Sequence, residues 1–381
     1  MLAKVYSRKI FSGMFASSLV QSTAKMCTKP RISSLVMCLP EGIISPLFLY
    51  PGQPPEPVGK VSQHRPQTAP SRVYNRDMKN THIEHPEDLI LSGDLTVLDL
   101  LLTDGHLSTK MDGAPAIVWG TNPATGKFFV GTKSVFNKVK IKINESHADI
   151  DANHQGAVAD ILHACFDWLP DTNGMGIYQG DFIGFGGQSE YTPNTITYQF
   201  ESVIDQEIII APHTVYTAES DLRDAVAHPM KFIITDTPYV KFVKPQARIF
   251  SGAYDKCAGG FDVSEPIMFA KQIAQTVQFV DEKKAKKIKQ ALNKCIRENT
   301  PIDNDAFDCD WTLISFWKLV KSIKEDALFL CRNSGPRAFI GQDEISAEGY
   351  VFSNELGMIK LVNREQFSYA NFNNAKFQQS V

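Results

Sequence analysis

The sequence predicts an α+β fold, an antiparallel-sheet core interrupted by a block of helices. Three observations carry this. Short β-rich runs punctuated by turn residues fill 106–133 and 176–235, apolar residues recur at helical spacing between Ser264 and Arg332, and strand-like runs return over 345–362. Among 381 residues, 39 basic side chains stand against 42 acidic ones, and 43% of the chain is hydrophobic. That composition supplies a core and excludes a polybasic nucleic-acid coat. No apolar run approaches the roughly 20 residues that span a bilayer, so no membrane partner is expected.

The first 77 residues stand apart. Lys4, Arg8, Lys9, Lys25, Lys29 and Arg31 occur without any acid before Pro40, as in a mitochondrial transit peptide. From Pro40 to Pro70 prolines crowd the chain and oppose regular structure. Residues 1–77 therefore read as a disordered or targeting tail, with Met78 as an alternative start. A cytoplasmic location follows (host cytoplasm for a viral protein), or a mitochondrial one if the first forty residues are a working transit peptide.

In the part that follows, 78–263, His106–Gly120 reads as strand, turn and strand. Asn122–Gly126 is a turn leading into a strand over Phe128–Lys133. Val158, Ile161, Leu162, Cys165 and Leu169 line one face of a helix over His154–Leu169, closed by Pro170. Gly176–Phe185, Thr195–Val203, Glu207–Ala211 and Lys231–Thr235 read as strands. Residues 264–332 read as a helical insertion. It comprises a helix capped by Ser264, a second carrying Ile288, Leu292 and Ile296, and a third over Asp310–Leu330. Final strands, Ile345–Phe352 and Gly357–Val362, occupy 333–381.

Seven scattered cysteines without a C-x-x-C pair read as reduced, buried side chains, which excludes a disulfide framework and a cysteine zinc knuckle. The histidines lack H-E-x-x-H spacing, and Gly120–Lys127 fails the Walker A pattern because Phe128 follows its lysine.

The chemistry concentrates in five segments. Lys110 precedes an Asp112-Gly113 turn in Lys-Met-Asp-Gly, where a lysine nucleophile needs nearby charges, a metal or desolvation to free its lone pair. Thr132-Lys133-Ser134 places a second lysine at a strand end. Gln179-Gly180-Asp181-Phe182 sets an acid within a strand. Glu348-Gly349-Tyr350-Val351 opens a strand with a carboxylate, and Ile359-Lys360-Leu361 turns one lysine to the face opposite its apolar neighbours. Two further lysines, two acids and a nucleophile on successive strands suit an anionic ligand with a divalent metal.

In this order the segments resemble motifs I, Ia, III, IV and V of the covalent nucleotidyltransferases, the ATP-dependent DNA and RNA ligases and mRNA capping enzymes. The run His106–Lys138 also resembles ligase-like proteins of tailed phages. The resemblance implies an antiparallel-sheet, ATP-grasp-like ligase catalytic domain carrying the helical insertion. It implies ATP and Mg²⁺, with Lys110 as the nucleophile that forms lysyl-AMP. Glu348 would hold Mg²⁺, Lys133 and Lys360 would neutralise phosphate charge, Asp181 would contact ribose or metal, and Tyr198 or Phe200 would stack on the base. Pro115 replaces the family's frequent arginine, the motif V segment has one lysine where two are usual, and the chain after Lys360 is too short for an OB domain. An OB-lacking RNA ligase is therefore the nearest pattern.

Lys283, Lys284, Lys286, Lys287, Lys289, Lys294 and Arg297 surround the second helix of the insertion and suit a phosphate backbone, as well as an ordinary solvated face. The sequence thus predicts ATP-dependent end joining of nucleic acid, RNA more than DNA. Two alternatives stay open, a nucleotidyltransferase acting on a protein or small molecule, and a catalytically reduced nucleic-acid-binding or virion-associated protein.

Overall fold

The computed structural model describes residues 83–170, 176–251, 254–256 and 258–373. The tail read over 1–77 lies outside the described residues. Pro86 opens a one-turn helix, α1 (Pro86–Leu89), and α2 (Thr96–Leu102) follows. β1 (Gly105–Lys110), β2 (Ala116–Thr121) and β3 (Phe128–Gly131) come next, the latter two joined through the Asn122–Gly126 turn. Ser146 caps α3 (His147–Asn153), an element not expected from periodicity, by accepting from the Asp149 N–H. α4 (Ala157–Trp168) then buries Ile161, Leu162 and Cys165 as its spacing predicts.

A run of strands follows: β4 (Ile177–Phe185), β5 (Glu190–Tyr191), β6 (Thr197–Gln199), β7 (Ile208–Thr217), β8 (Val226–Pro229), β9 (Val240–Phe242), β10 (Ala247–Ser251), β11 (Tyr254–Lys256) and β12 (Ala258–Gly259). The helical block is α5 (Ser264–Ile273), α6 (Glu282–Glu298) and α7 (Trp311–Phe329). The chain closes with β13 (Cys331–Asn333), β14 (Arg337–Ile340), β15 (Asp343–Ile345), β16 (Gly349–Asn354), β17 (Gly357–Val362) and α8 (Arg364–Phe372).

These strands form four sheets in the orders β3-β2-β4-β7-β8, β12-β1-β16-β17, β15-β14-β6-β5 and β11-β10-β13. Every pairing along them is antiparallel, and β9 adds in parallel to β7. The α+β class with antiparallel sheets is therefore as expected.

Several local expectations are corrected. Lys231–Thr235 is irregular; Phe232 and Ile233 are 48% and 68% exposed, so its apolar run has no sheet face to bury. The strand read over Thr195–Val203 shortens to β6, whereas β7 runs on from Ala211 to Thr217. Ser264 is the first helical residue of α5, and Val263 holds the cap position without a side-chain bond. The strand read over Ile345–Phe352 is broken, which leaves Glu348 in a bend before β16.

One face of the β12-β1-β16-β17 sheet buries Leu107, Tyr350, Phe352, Ile359 and Leu361 in the same cluster as α2 and α5–α7. Its helical side includes Ile288, Leu292, Ile296, Ile314, Trp317 and Val320. The helices of 264–332 therefore share their core with the sheet that carries Lys110. A fully buried side chain of this size contributes roughly 1.5–3 kcal/mol, so Phe352→Ala would weaken the packing of sheet on helices. Directly paired residues share a face in an antiparallel ladder, as do residues two apart. Ser108 pairs with Val351, and Val351 with Lys360, so Lys110 and Lys360 lie on the opposite face together.

Candidate functional site

Lys110 ends β1, where it is paired with Gly349, the first residue of β16. This register brings Glu348 alongside, and the Lys110 ammonium donates to Glu348 Oε1 in a short ion pair. Glu348 has a side chain only 4% exposed, against 36% for Lys110. Its Oε2 is buried without a hydrogen-bond partner. Gly349 lets β16 lie tightly against β17, because a Cβ there would lie 2.4 Å from the Leu361 carbonyl oxygen.

The turn after Lys110 is fixed just as tightly. A Cβ on Gly113 would lie 2.7 Å from Asp181 Cβ and 2.8 Å from the Phe182 carbonyl oxygen, so glycine lets the turn rest on β4. The Ala114 N–H donates to the Phe182 carbonyl at 3.0 Å, and Phe182 N–H to the Pro115 carbonyl at 3.0 Å. Asp112 is buried and anchors the neighbouring loop. Its carboxylate accepts from Asn194 Nδ2 at 2.9 Å and from the N–H groups of Thr195 and Ile196 at 2.8 and 3.0 Å. The Asp112 N–H donates to the Tyr198 hydroxyl at 2.5 Å.

Electrostatics follow from this packing. Burial alone would pull the Lys110 ammonium down, but Glu348, Asp181 and Asp112 together hold its pKa above the ordinary lysine value. Burial pushes the Glu348 carboxyl up to about 7 against the pull of Lys110, with Asp112 and Asp181 adding to the rise. The resting site thus sets a protonated lysine among the carboxyl groups of Glu348, Asp181 and Asp112. His213 on β7 places Nε2 3.7 Å from Asp181 Oδ2.

Of the residues singled out from sequence, the structure gathers Lys110, Asp181 and Glu348. Lys360 joins them at longer range. Two strand spacings and a two-residue offset separate its Cα from that of Lys110 by about 12 Å. Burial lowers the Lys360 ammonium, and the positive charges of Lys110 and Arg364 lower it further against Glu84 and Asp88. Lys133 is exposed, begins the 3₁₀ turn Lys133–Phe136, and makes no ion pair or side-chain hydrogen bond with these groups among the described residues. Tyr198 is 2% exposed with its hydroxyl engaged by Asp112, so it cannot stack on a base. Phe200 packs edge-on against Tyr191.

Sequence reasoning missed Asp112 and His213. Asp112 sits inside the Lys-x-Asp-Gly segment and could have been proposed from that position, whereas His213 carries no local signal. Among the described residues, no group of three or more His, Cys, Asp or Glu side chains is placed to hold a metal ion by itself. The orphaned Glu348 Oε2 beside Asp181 fits a Mg²⁺ that takes one or two carboxylates and completes its shell with phosphates and water. No helix among the described residues is long and apolar enough to cross a membrane.

No curated protein and no solved structure matches the chain. Residues 80–310 and 304–376 match the profile described as "Family of unknown function (DUF6267)", and by that coverage the chain belongs to this family.

Proposed function

We propose that this protein is an ATP-dependent nucleotidyltransferase with a nucleotidyltransferase-type fold, in which Lys110 becomes adenylylated and passes the adenylyl group to an RNA, or less readily a DNA, end. The observation that carries the reading is the Lys110–Glu348 pair. It joins the two segments with the most specific motif resemblance across one ladder, and it leaves a second, unpartnered carboxylate oxygen in a buried position.

In the reaction the Lys110 Nζ lone pair attacks the α-phosphorus of ATP. The N–P bond forms, the P–O bond to the β-phosphoryl group breaks, and pyrophosphate leaves with that electron pair. Lys110 must first lose a proton, and Glu348 Oε1 already accepts a hydrogen bond from it. A carboxyl raised to about 7 is a far better proton acceptor than an ordinary carboxylate. When bound, Mg²⁺ would supply charge neutralisation on the phosphates, with Glu348 and Asp181 as its protein ligands. Lys360, on the same sheet face, would offset phosphate charge as it develops. Asp112 has a positioning role, since it fixes both its own turn and the 194–196 loop. Lys133 has no part in this reading.

Intact-mass and peptide mass spectrometry after incubation with ATP and Mg²⁺ tests the proposal. An adenylyl adduct on the peptide containing Lys110 is expected, and an adduct on another residue would reassign the nucleophile.

A further inference from the structure

A cavity of about 560 Å³ lies between α6, α8 and Lys360 of β17. Its cations are Lys289, Arg297, Lys360 and Arg364, against the carboxylates Glu84 and Asp88. Two of the cations are already neutralised. Lys289 pairs with Glu84, and Arg364 Nη1 donates to Glu87 Oε1 at 3.0 Å and Asp88 Oδ1 at 2.9 Å. The other two have no carboxylate partner among the described residues. Lys360 makes no side-chain hydrogen bond or ion pair there, and Arg297 stands over the Phe372 ring, 5.6 Å from its centroid.

His85 also lines the cavity. His85 is 8% exposed and its Nδ1 is buried without a hydrogen bond. Burial holds this imidazole neutral, and the charges of Arg364, Lys360, Lys324 and Lys289 act in the same sense. A neutral imidazole can donate one N–H, and Ser368 lines the same space. Two unpaired cations with neutral donors around them match a compact anion with several acceptor oxygens.

We propose that this cavity binds a phosphate group. Arg297 and Lys360 would pair with its oxygens, and His85 and Ser368 would complete its hydrogen bonds. The site is built largely by α6 and α8, outside the five motif segments except for Lys360. It communicates with the Lys110 cluster through Asn371, whose Oδ1 accepts from Thr195 Oγ1 at 2.9 Å, while Thr195 N–H donates to Asp112. Lys360 is shared with the proposed reaction, but binding here does not require Lys110 to react.

The test is calorimetric titration of the full chain with inorganic phosphate at low salt, for the parent and for the Arg297→Gln, Lys360→Gln and Lys110→Ala variants. Saturable one-site binding is expected, weakened by about tenfold or more in each of the first two variants and retained in Lys110→Ala. Arg297 is exposed, so its replacement should leave the thermal midpoint unchanged and its binding defect interpretable. Competition by AMP, or by a 5′-phosphorylated RNA oligonucleotide against its 5′-hydroxyl counterpart, identifies the source of the phosphate, and either result supports the site. Absence of saturable binding, or equal binding by Arg297→Gln, would overturn it. Loss of binding in Lys110→Ala would overturn it as well, by moving the phosphate to the Lys110 cluster. A protein that fails to adenylylate yet binds phosphate in this pattern would keep the site and remove only the catalytic reading.

Discussion

Lys110 and Glu348, 238 positions apart in the chain, form an ion pair because the β1–β16 ladder sets Lys110 opposite Gly349. The pair is asymmetric, since the carboxylate is almost fully buried and the ammonium about a third exposed. Removing one partner therefore differs from removing both. Lys110→Met leaves the buried Glu348 carboxylate without its cation and should cost about 1–2 kcal/mol near neutral pH, a range discounted for the solvent that reaches the lysine. The double variant Lys110→Met, Glu348→Gln should recover most of that loss. Urea denaturation of the three proteins checks this, and a double variant as unstable as the single one would show that the pair's geometry carries no such coupling.

The same carboxyl gives a pH signature. Its pKa is raised on folding to about 7, from an unfolded value near about 4.3. The native state therefore binds the extra proton, and the stability linked to Glu348 is complete at low pH and lost as pH rises through about 7. Stability measured from pH 5 to pH 8 should fall more steeply for the parent than for the double variant. Parallel curves would contradict the raised carboxyl.

Gly113 allows the Lys110 turn to rest on β4. Gly113→Ala places a methyl against Asp181 Cβ and the Phe182 carbonyl, at distances that backbone atoms cannot relieve without moving. A loss of about 1–3 kcal/mol is expected, together with a fall in Lys110 adenylylation, because the strain displaces the turn bearing the nucleophile. Unchanged thermal stability and labelling would show that the turn has slack.

Much of this arrangement was legible in the sequence, and the limits have physical causes. β1, β2 and β4, the helices around Ile288 and Val320, and β17 announce themselves by β-rich runs or helical spacing, although β2 buries both faces, Ile117 and Trp119 on one and Val118 on the other. The meeting of Lys110 with Glu348 is a matter of long-range register, which local periodicity does not encode; only the motif order pointed to it. Lys133 lies past the strand expected to hold it, because Phe128–Gly131 ends two residues early and Thr132 caps a 3₁₀ turn. Phe232 and Ile233 mimic a strand but face solvent. The cavity was illegible because it joins Glu84 and His85, α6 and α8 from distant parts of the chain.

Beneath that cavity lies a charge network without solvent. Lys324 Nζ donates to Glu87 Oε1 at 2.8 Å with both side chains 0% exposed, and Arg364 spans Glu87 and Asp88. Lys324→Met should cost about 3–5 kcal/mol by leaving Glu87 undercompensated, and adding Glu87→Gln should restore part of it. Equilibrium unfolding decides; an additive double variant would mean the two groups are not coupled.

On α6, Lys283, Lys286 and Lys287 are exposed without ion pairs among the described residues, whereas Lys284 meets Asp308 at 3.2 Å and Lys289 meets Glu84. If these three lysines follow a nucleic-acid backbone, replacing them with Gln should weaken single-stranded RNA binding. The slope of log affinity against log salt should then shrink by about 0.7 for each phosphate that is no longer neutralised. An unchanged slope would reduce this face to solvated surface.

The most direct test of the central claim is incubation of the full chain with α-labelled ATP and Mg²⁺, followed by denaturing electrophoresis. The parent should carry an acid-labile covalent label, and Lys110→Ala and Lys110→Arg should carry none, the arginine because its guanidinium keeps its proton and offers no lone pair. A folded parent that takes up no label, or a Lys110→Ala protein labelled as strongly as the parent, would contradict the assignment of Lys110 as the nucleophile.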